Sequence, residues 1–265
     1  MFGNIFTVKI KQTLAVKLQA LLNAPVIELD TIDSTNNYAM RLIDADTAQP
    51  GLTIVADMQT AGKGQRGKKW VDTPNESLLM SIVLKPQYDL DHQFAFIVTV
   101  SLAIADYMQD LNENWDVRIK WPNDIIINDK KAGGMLIENV LRGSQWAYAV
   151  VGLGINVLQR EMPVDIPFST SLRIESDKQY IIFDMVTGIR ERIFTYLDIM
   201  PEPNRMLRLY NEILFKKDTQ QRFKIGNDEF SATITGVTYN GLLQLKLDNG
   251  STINYSFGAI EWICA

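Results

Sequence analysis

The sequence predicts an α+β protein, a β-sheet flanked by helices and followed by a small all-β unit. Three observations carry this. Leu52 to Asp57, Leu78 to Lys85 and Trp146 to Val157 are β-rich apolar runs that read as strands. Phe94 to Leu111 and Ile181 to Leu197 are apolar with helical spacing. From Thr219 onward, short strand-like segments are separated by Gly226-Asn227-Asp228, Asn240-Gly241 and Asn249-Gly250, hairpin signals at the spacing of a small barrel.

In chain order, Ile5 to Ile10 reads as a short strand and Thr13 to Leu22 as a helix ending near Asn23-Ala24-Pro25. Val26 to Asp30 is a strand that runs into Ser34-Thr35-Asn36-Asn37, where Ser34 or Thr35 is suited to cap a helix over Tyr38 to Ile43. The run at Leu52 to Asp57 enters Gln59 and a glycine-rich loop, and Leu78 to Lys85 leaves it, so the loop joins two strands and is placed at a sheet edge. Phe94 to Leu111 then packs on one face of that sheet. Val117 to Lys120 is a strand that Pro122 must interrupt, because proline has no N–H for a ladder. Asp124 to Ile127, the turn Asn128-Asp129 and Lys130 to Ile137 form a hairpin. Lys131 stands in its returning strand beside Gly133-Gly134, either a solvated strand lysine or a functional one. Gly152 and Gly154 mark a close backbone approach or a bulge before Asn156. Residues 160–177 read as a surface excursion, and helices at Ile181 to Leu197 and Asn204 to Phe215 are divided by Pro201-Glu202-Pro203. A boundary near Lys216 to Asp218 divides the chain into residues 1–216 and 217–265.

Composition narrows the chemistry. A net charge of −5 argues against a general nucleic-acid binder, so basic clusters are local features of an acidic chain. One cysteine, Cys264, excludes an internal disulfide framework and fits a reducing compartment. One histidine, His92, leaves no zinc site of the usual kind, and its place before an apolar run reads as surface or helix start. Residues 1–24 interleave lysines with apolar residues and lack a signal-peptide core, which favours a cytoplasmic protein.

The densest chemistry is Thr60 to Trp70, TAGKGQRGKKW, with three glycines and four cations in eleven residues. Glycines admit positive φ and close approach, while exposed N–H groups and cationic side chains suit a polyanion. Gly62, Gly64 and Gly67 satisfy G-x-G-x-x-G, and Gly62 to Lys68 satisfies G-x-x-x-x-G-K. Both fingerprints need a helix after the last glycine, and the second needs Ser or Thr where Lys69 stands. The following residues carry no helical period, so neither a Rossmann nor a P-loop reading holds. No V-A-I-K, H-R-D or D-F-G partner supports a kinase loop.

Taken together, Gln59 with GKGQRGKKW, KWPND with the later Lys131-Ala132-Gly133-Gly134-Met135-Leu136, and GLGINV resemble the biotin protein ligases in order and spacing. Ser34-Thr35-Asn36 and the terminal small-barrel pattern agree, and the resemblance covers residues 26–263. It implies a class II synthetase-like catalytic domain with a mixed sheet, and a C-terminal SH3-like barrel. It implies activation of biotin by ATP to biotinyl-AMP with release of pyrophosphate, then transfer to one lysine of a biotin carboxyl carrier protein. Joining two anions needs cations, Mg²⁺ and oriented N–H groups.

On that resemblance, Lys131 reaches the biotin carboxyl and the phosphate, with Lys63 and Arg66 as further catalytic cations and Lys68 on the ATP phosphates. Ser34, Thr35, Asn36 and Gln59 match polar contacts to the ureido ring, which needs neutral groups that both donate and accept. Gly62, Gly64, Gln65 and Gly134 fall on the biotin side. Trp70 matches a tryptophan at the nucleotide end, with core packing an equal reading. Asn123, Asp124 and Asn156 fall near the phosphates. Mg²⁺ enters with ATP near Asp124, with no site built from protein ligands alone, although Asp124 is also read as an anchor of its own turn.

Two positions depart from the family pattern: Lys63 stands where arginine is more usual, and Gln65 where many members carry a second arginine associated with holding the adenylate. Lys68 or Lys131 is the expected substitute for the missing charge. The residues before Val26 are too few for the DNA-binding domain of some relatives, so no DNA and no membrane partner is expected. Pairing through sheet edges allows a homodimer. The alternatives are a lipoate or octanoate ligase of related fold, whose pocket would be longer and apolar, and a non-catalytic binder of biotin or its adenylate.

Overall fold

A computed structural model describes residues 18–263 apart from 165, 167, 200 and 201. The strand expected at Ile5 to Ile10, the start of the Thr13 to Leu22 helix and Cys264 lie outside the described residues; residues 18–22 are helical as expected.

Seven strands form the main sheet: β1 (Val26–Ile32), β2 (Thr53–Gln59), β3 (Ser77–Leu84), β4 (Val117–Lys120), β5 (Asp124–Ile127), β6 (Lys130–Arg142) and β7 (Gln145–Asn156). Their order is β1-β2-β3-β7-β6-β5-β4. β1 and β2 run parallel and the remaining pairs antiparallel, which makes the sheet mixed. The helices are α1 (Thr35–Asp44), α2 (Gln93–Leu111), α3 (Leu172–Ser176), α4 (Ile182–Ile199) and α5 (Pro203–Glu212).

β3 explains its continuous apolar run: every one of its residues is buried, because both faces of the sheet are covered. Ala39 and Ile43 of α1 pack with Ile54, Val83 and Val150 on one face. Met80 and Ile82 join α2 and α4 on the other. Among the described residues one helical span, Leu90–Leu111, is long and apolar enough to cross a membrane, but most of it is buried in this core.

The C-terminal strands β8 (Gln220–Ile225), β9 (Asp228–Val237), β10 (Leu243–Lys246), β11 (Thr252–Tyr255) and β12 (Glu261–Ile263) form an antiparallel sheet in the order β11-β10-β9-β8-β12. Phe223, Ile234, Leu243 and Leu245 belong to the same buried cluster as the main sheet. Asn211 of α5 also binds both backbone groups of Val237, at 2.7 and 3.1 Å. The strand architecture changes near Lys216, but the core runs through.

Two expectations are corrected. The glycine loop is not at a lateral edge, because β1 pairs outside β2; the loop rises from the end of two interior strands. Residues 160–177 are not simply a surface excursion. Thr170, Ser171 and Leu172 are fully buried, and the segment forms a parallel bridge at Ser169 with Lys131. A short polar stretch becomes buried here because its backbone groups find partners on β6.

Candidate functional site

A cleft of about 510 Å³ opens where the glycine loop, the ends of the central strands and the C-terminal sheet meet. Ser34, Thr35, Asn36, Gln59, Lys63, Gly64, Gln65, Arg66, Lys68, Trp70, Asn123, Asp124, Lys131 and Gly134 all line it. Gly62 and Asn156 do not, and both have supporting places instead.

One end of the cleft is a neutral polar floor at the start of α1. Ser34 occupies the N-cap position, yet its side chain makes no capping bond. The Thr35 N–H donates instead to Gln59 Oε1 at 2.8 Å, which replaces the expected hydroxyl cap. A backbone N–H only donates, so the Gln59 atom facing it is the carbonyl oxygen, and the Nε2 hydrogens are left for another acceptor. Ser81 ties the floor together: its Oγ lies 2.7 Å from Thr35 Oγ1 and donates to Asn36 Oδ1 at 2.6 Å. Asn36 Nδ2 in turn donates to Glu138 Oε2 at 2.7 Å. A side chain at Gly152 would collide with the Asn36 carboxamide, which gives that strand glycine its reason.

The glycine loop crosses above this floor as a tight hairpin. Gly64 N–H donates to Lys68 O at 2.7 Å and Trp70 N–H to Gly62 O at 3.0 Å. A Cβ on Gly62 would stand 2.7 Å from the Trp70 carbonyl oxygen, so Gly62 serves the hairpin rather than the cleft. Lys63 Nζ reaches Glu138 Oε1 at 3.2 Å. Arg66, at φ 54°, donates from Nη1 to Gly258 O of the C-terminal sheet at 2.8 Å. Lys68 lines the cleft as an exposed cation.

The other end holds the KWPND turn and Lys131. Lys131 Nζ lies 2.8 Å from Asp124 Oδ1 and 6.0 Å from the centre of the Trp70 ring. Its backbone is fixed by residues 168–170: Lys131 N–H donates to Phe168 O at 2.7 Å, and Thr170 N–H to Lys131 O at 2.8 Å. Asn156 Nδ2 donates to Thr170 O at 2.9 Å, so Asn156 stands behind the cleft and braces the segment that holds Lys131. Asn123 is also committed to structure, with Nδ2 donating to Met135 O and its own carbonyl accepting from Met135 N–H. Beneath the turn, Tyr210 donates to Pro122 O at 2.9 Å, and burial pushes its phenol well above the usual range. Trp70 is both packed and open to the cleft. Its indole packs where a Cβ on Gly154 would come within 2.6 Å, and it lines the cleft.

Sequence reasoning missed Ser81, Glu138 and the C-terminal wall of Phe257, Gly258 and Trp262. A serine inside the apolar run of β3 was the available signal for Ser81. Nothing local marks Glu138 or the wall, whose roles arise from strand pairing and sheet packing.

A metal has few donors here. Among the described residues no three His, Cys, Asp or Glu side chains converge, and Asp124 and Glu261 are the acids that line the cleft. One or two carboxylates suit a Mg²⁺ that is held mainly by phosphates.

Residues 28–156 match the model of the Biotin/lipoate A/B protein ligase family. The chain is 28% identical over 236 residues to the bifunctional ligase/repressor BirA of Bacillus subtilis, covering 86% of this chain and 71% of that protein. It is 30% identical over 237 residues to the human biotin--protein ligase, covering 81% of this chain and 31% of that protein. The biotin protein ligase of Aquifex aeolicus in complex with biotin and ATP has the same fold, with a TM-score of 0.75 at 23% identity over 91% of this chain and 99% of that one. The segment that resembles the biotin/lipoate A/B protein ligase family, residues 28–156, is the one that carries the polar floor, the glycine loop, the KWPND turn and Lys131.

Proposed function

We propose that the protein is a biotin protein ligase that forms biotinyl-AMP from biotin and ATP and transfers the biotinyl group to a lysine of a biotin carboxyl carrier protein. The observation that carries the reading is the juxtaposition in one cleft of a neutral hydrogen-bonding floor and a lysine-centred anion site, joined by a cationic loop. The names of the human relative and of the Aquifex complex point the same way.

In this reading Gln59, Thr35 and Asn36 hold the ureido ring, and Gln59 offers its amide hydrogens to the ring carbonyl. Lys131 and Lys68 face the carboxylate and the ATP phosphates, and Trp70 packs at the nucleotide end. A carboxylate oxygen of biotin bonds to the α-phosphorus of ATP as the bond to the β-phosphate bridging oxygen breaks, and pyrophosphate leaves. The carrier lysine amine then attacks the acyl carbon, AMP leaves and the amine loses its proton. Lys131 offsets the repulsion of the first step because its cation is already placed by Asp124 and a fixed backbone. Mg²⁺ arriving with ATP would sit near Asp124 and neutralise phosphate charge. The reading places the protein in the cytoplasm, with its ATP and carrier substrates.

Biotin-dependent exchange of labelled pyrophosphate into ATP tests the proposal. Exchange stimulated by biotin, with mass spectrometry locating biotin on a carrier lysine, is the expected result. Exchange stimulated by lipoate alone would assign the chain to the lipoate ligases of the same family. No stimulation by either acid would end the enzyme reading.

A further inference from the structure

We propose that Glu138 is a positioning residue that fastens the glycine loop to the polar floor of the cleft. Its carboxylate has two partners drawn from different parts of the site: Asn36 Nδ2 at 2.7 Å from Oε2, and Lys63 Nζ at 3.2 Å from Oε1. Asn36 is almost fully buried on the first turn of α1, with its orientation set by Ser81 and Gly152. Lys63 lies in the glycine-flanked stretch between β2 and β3. β6 is thus the strand that holds the loop from below, through one side chain shared between the two halves of the site.

This changes the role of Lys63. Of the loop cations, Lys63 in the first arm of the hairpin is held by the Glu138 carboxylate and Arg66 at its turn by the Gly258 carbonyl. Lys63 therefore fixes where the loop sits, and the carboxylate of the ligand is met by other cations. Glu138 acts on the ligand indirectly, by keeping Asn36 oriented and the loop closed over it. The pair is partly exposed, with side-chain accessibilities of 39% for Lys63 and 30% for Glu138, so its contribution is modest. A modest closure term still shows in binding, because every opening of the loop exposes the floor.

The inference deepens the biotin reading, and its first test does not depend on it. Amide hydrogen exchange across residues 62–70 is compared in wild type and Glu138→Gln with no biotin or ATP added. The glutamine keeps an acceptor for Asn36 and removes the charge facing Lys63. Faster exchange in the loop, by up to about fivefold, with α2 unchanged is expected. Lys63→Met should give the same increase in loop exchange, and combining it with Glu138→Gln should add nothing further, which a merely misfolded variant would not do. Loop exchange equal to wild type in Glu138→Gln would overturn the proposal. In turnover, Glu138→Gln should raise the KM for biotin with kcat retained; a fall in kcat alone would also overturn it. A wild type with no biotin-dependent exchange of pyrophosphate would sink the ligase reading and leave the loop measurement to judge the fastening by itself.

Discussion

The Lys131 ammonium lies 2.8 Å from the Asp124 carboxylate in a space that Gly134 keeps open: a Cβ there would stand 3.0 Å from Asp124 Oδ1 and 3.5 Å from Lys131 Nζ. The pair is partly solvated, so it contributes at most about 1 kcal/mol to folding. Its geometry matters for charge placement instead. Lys131→Ala should lower biotin-dependent pyrophosphate exchange by about 10²–10³-fold, the loss typical of one preorganised charge-stabilising group. Urea unfolding should place the variant within about 1 kcal/mol of wild type. A variant that lost stability and activity together would show that Lys131 is a structural residue.

Gly154 and Trp70 give the second prediction. The indole occupies the position that a β-carbon at residue 154 would need, 2.6 Å from its Cε2 atom. Gly154→Ala forces the ring outward into the cleft or strains β7, at a cost of about 1–3 kcal/mol for overpacking. On the proposed function, which puts the Trp70 ring at the nucleotide end, the KM for ATP should rise in this variant more than the KM for biotin. Steady-state kinetics with each substrate varied in turn reads the difference.

How far the sequence discloses this site depends on the kind of signal each residue carries. Lys131, Asp124 and the loop cations are legible because charge beside glycine in a strand or turn is unusual. The paired strands, α2 and the C-terminal hairpins are legible because their periodicities are local. Gly152 and Gly154 announce a close approach, but which side chain approaches is fixed by the β3-β7-β6 pairing and by α1 packing above it. The burial of residues 169–172 is invisible because its cause is a backbone bridge to Lys131, about forty residues earlier in the chain. Asn156 was placed near the phosphates by its neighbourhood in GLGINV, whereas its amide is spent on Thr170.

Arg190 carries the third prediction, on the fold rather than the site. Its side chain is almost fully buried and donates from Nη2 to Ala24 O at 2.8 Å, with the carbonyls of Leu21, Leu22 and Gly51 at 3.3–3.4 Å. Burial holds its guanidinium below the usual arginine range, so the charge is kept by these carbonyl dipoles. It binds the end of the 18–22 helix to the entry of β2. Arg190→Met keeps much of the volume and removes the donors, and should cost about 1.5–3 kcal/mol for the charge-assisted bond to Ala24. The midpoint of urea unfolding should fall with the slope unchanged, since the fold and its buried surface are retained. A midpoint equal to wild type would show that the cluster contributes nothing net.

Asp72 gives a prediction about pH. Its carboxylate accepts from the Gln59 N–H at 3.4 Å at the end of the glycine loop, and burial raises its pKa above the usual carboxylate value despite that bond. A carboxyl whose folded pKa exceeds its unfolded value of about 3.9 is penalised in the native state when ionised. The penalty is present at neutral pH, is relieved as pH falls through the folded pKa, and is gone below the unfolded one. Asp72→Asn retains an acceptor for Gln59 and has no charge to desolvate, so the variant should be more stable than wild type at pH 7. The difference should shrink steadily on acidification toward pH 4. Asp33 behaves in the opposite sense: its bond to Arg41, with the ion pair at 3.0 Å, lowers its pKa, so its contribution is present at neutral pH and lost in acid. Both proteins carry Asp33, so it cancels when the two unfolding curves are subtracted at each pH. A difference that is flat or grows as pH falls would show that the Asp72 carboxylate is stabilised in the fold rather than strained by burial.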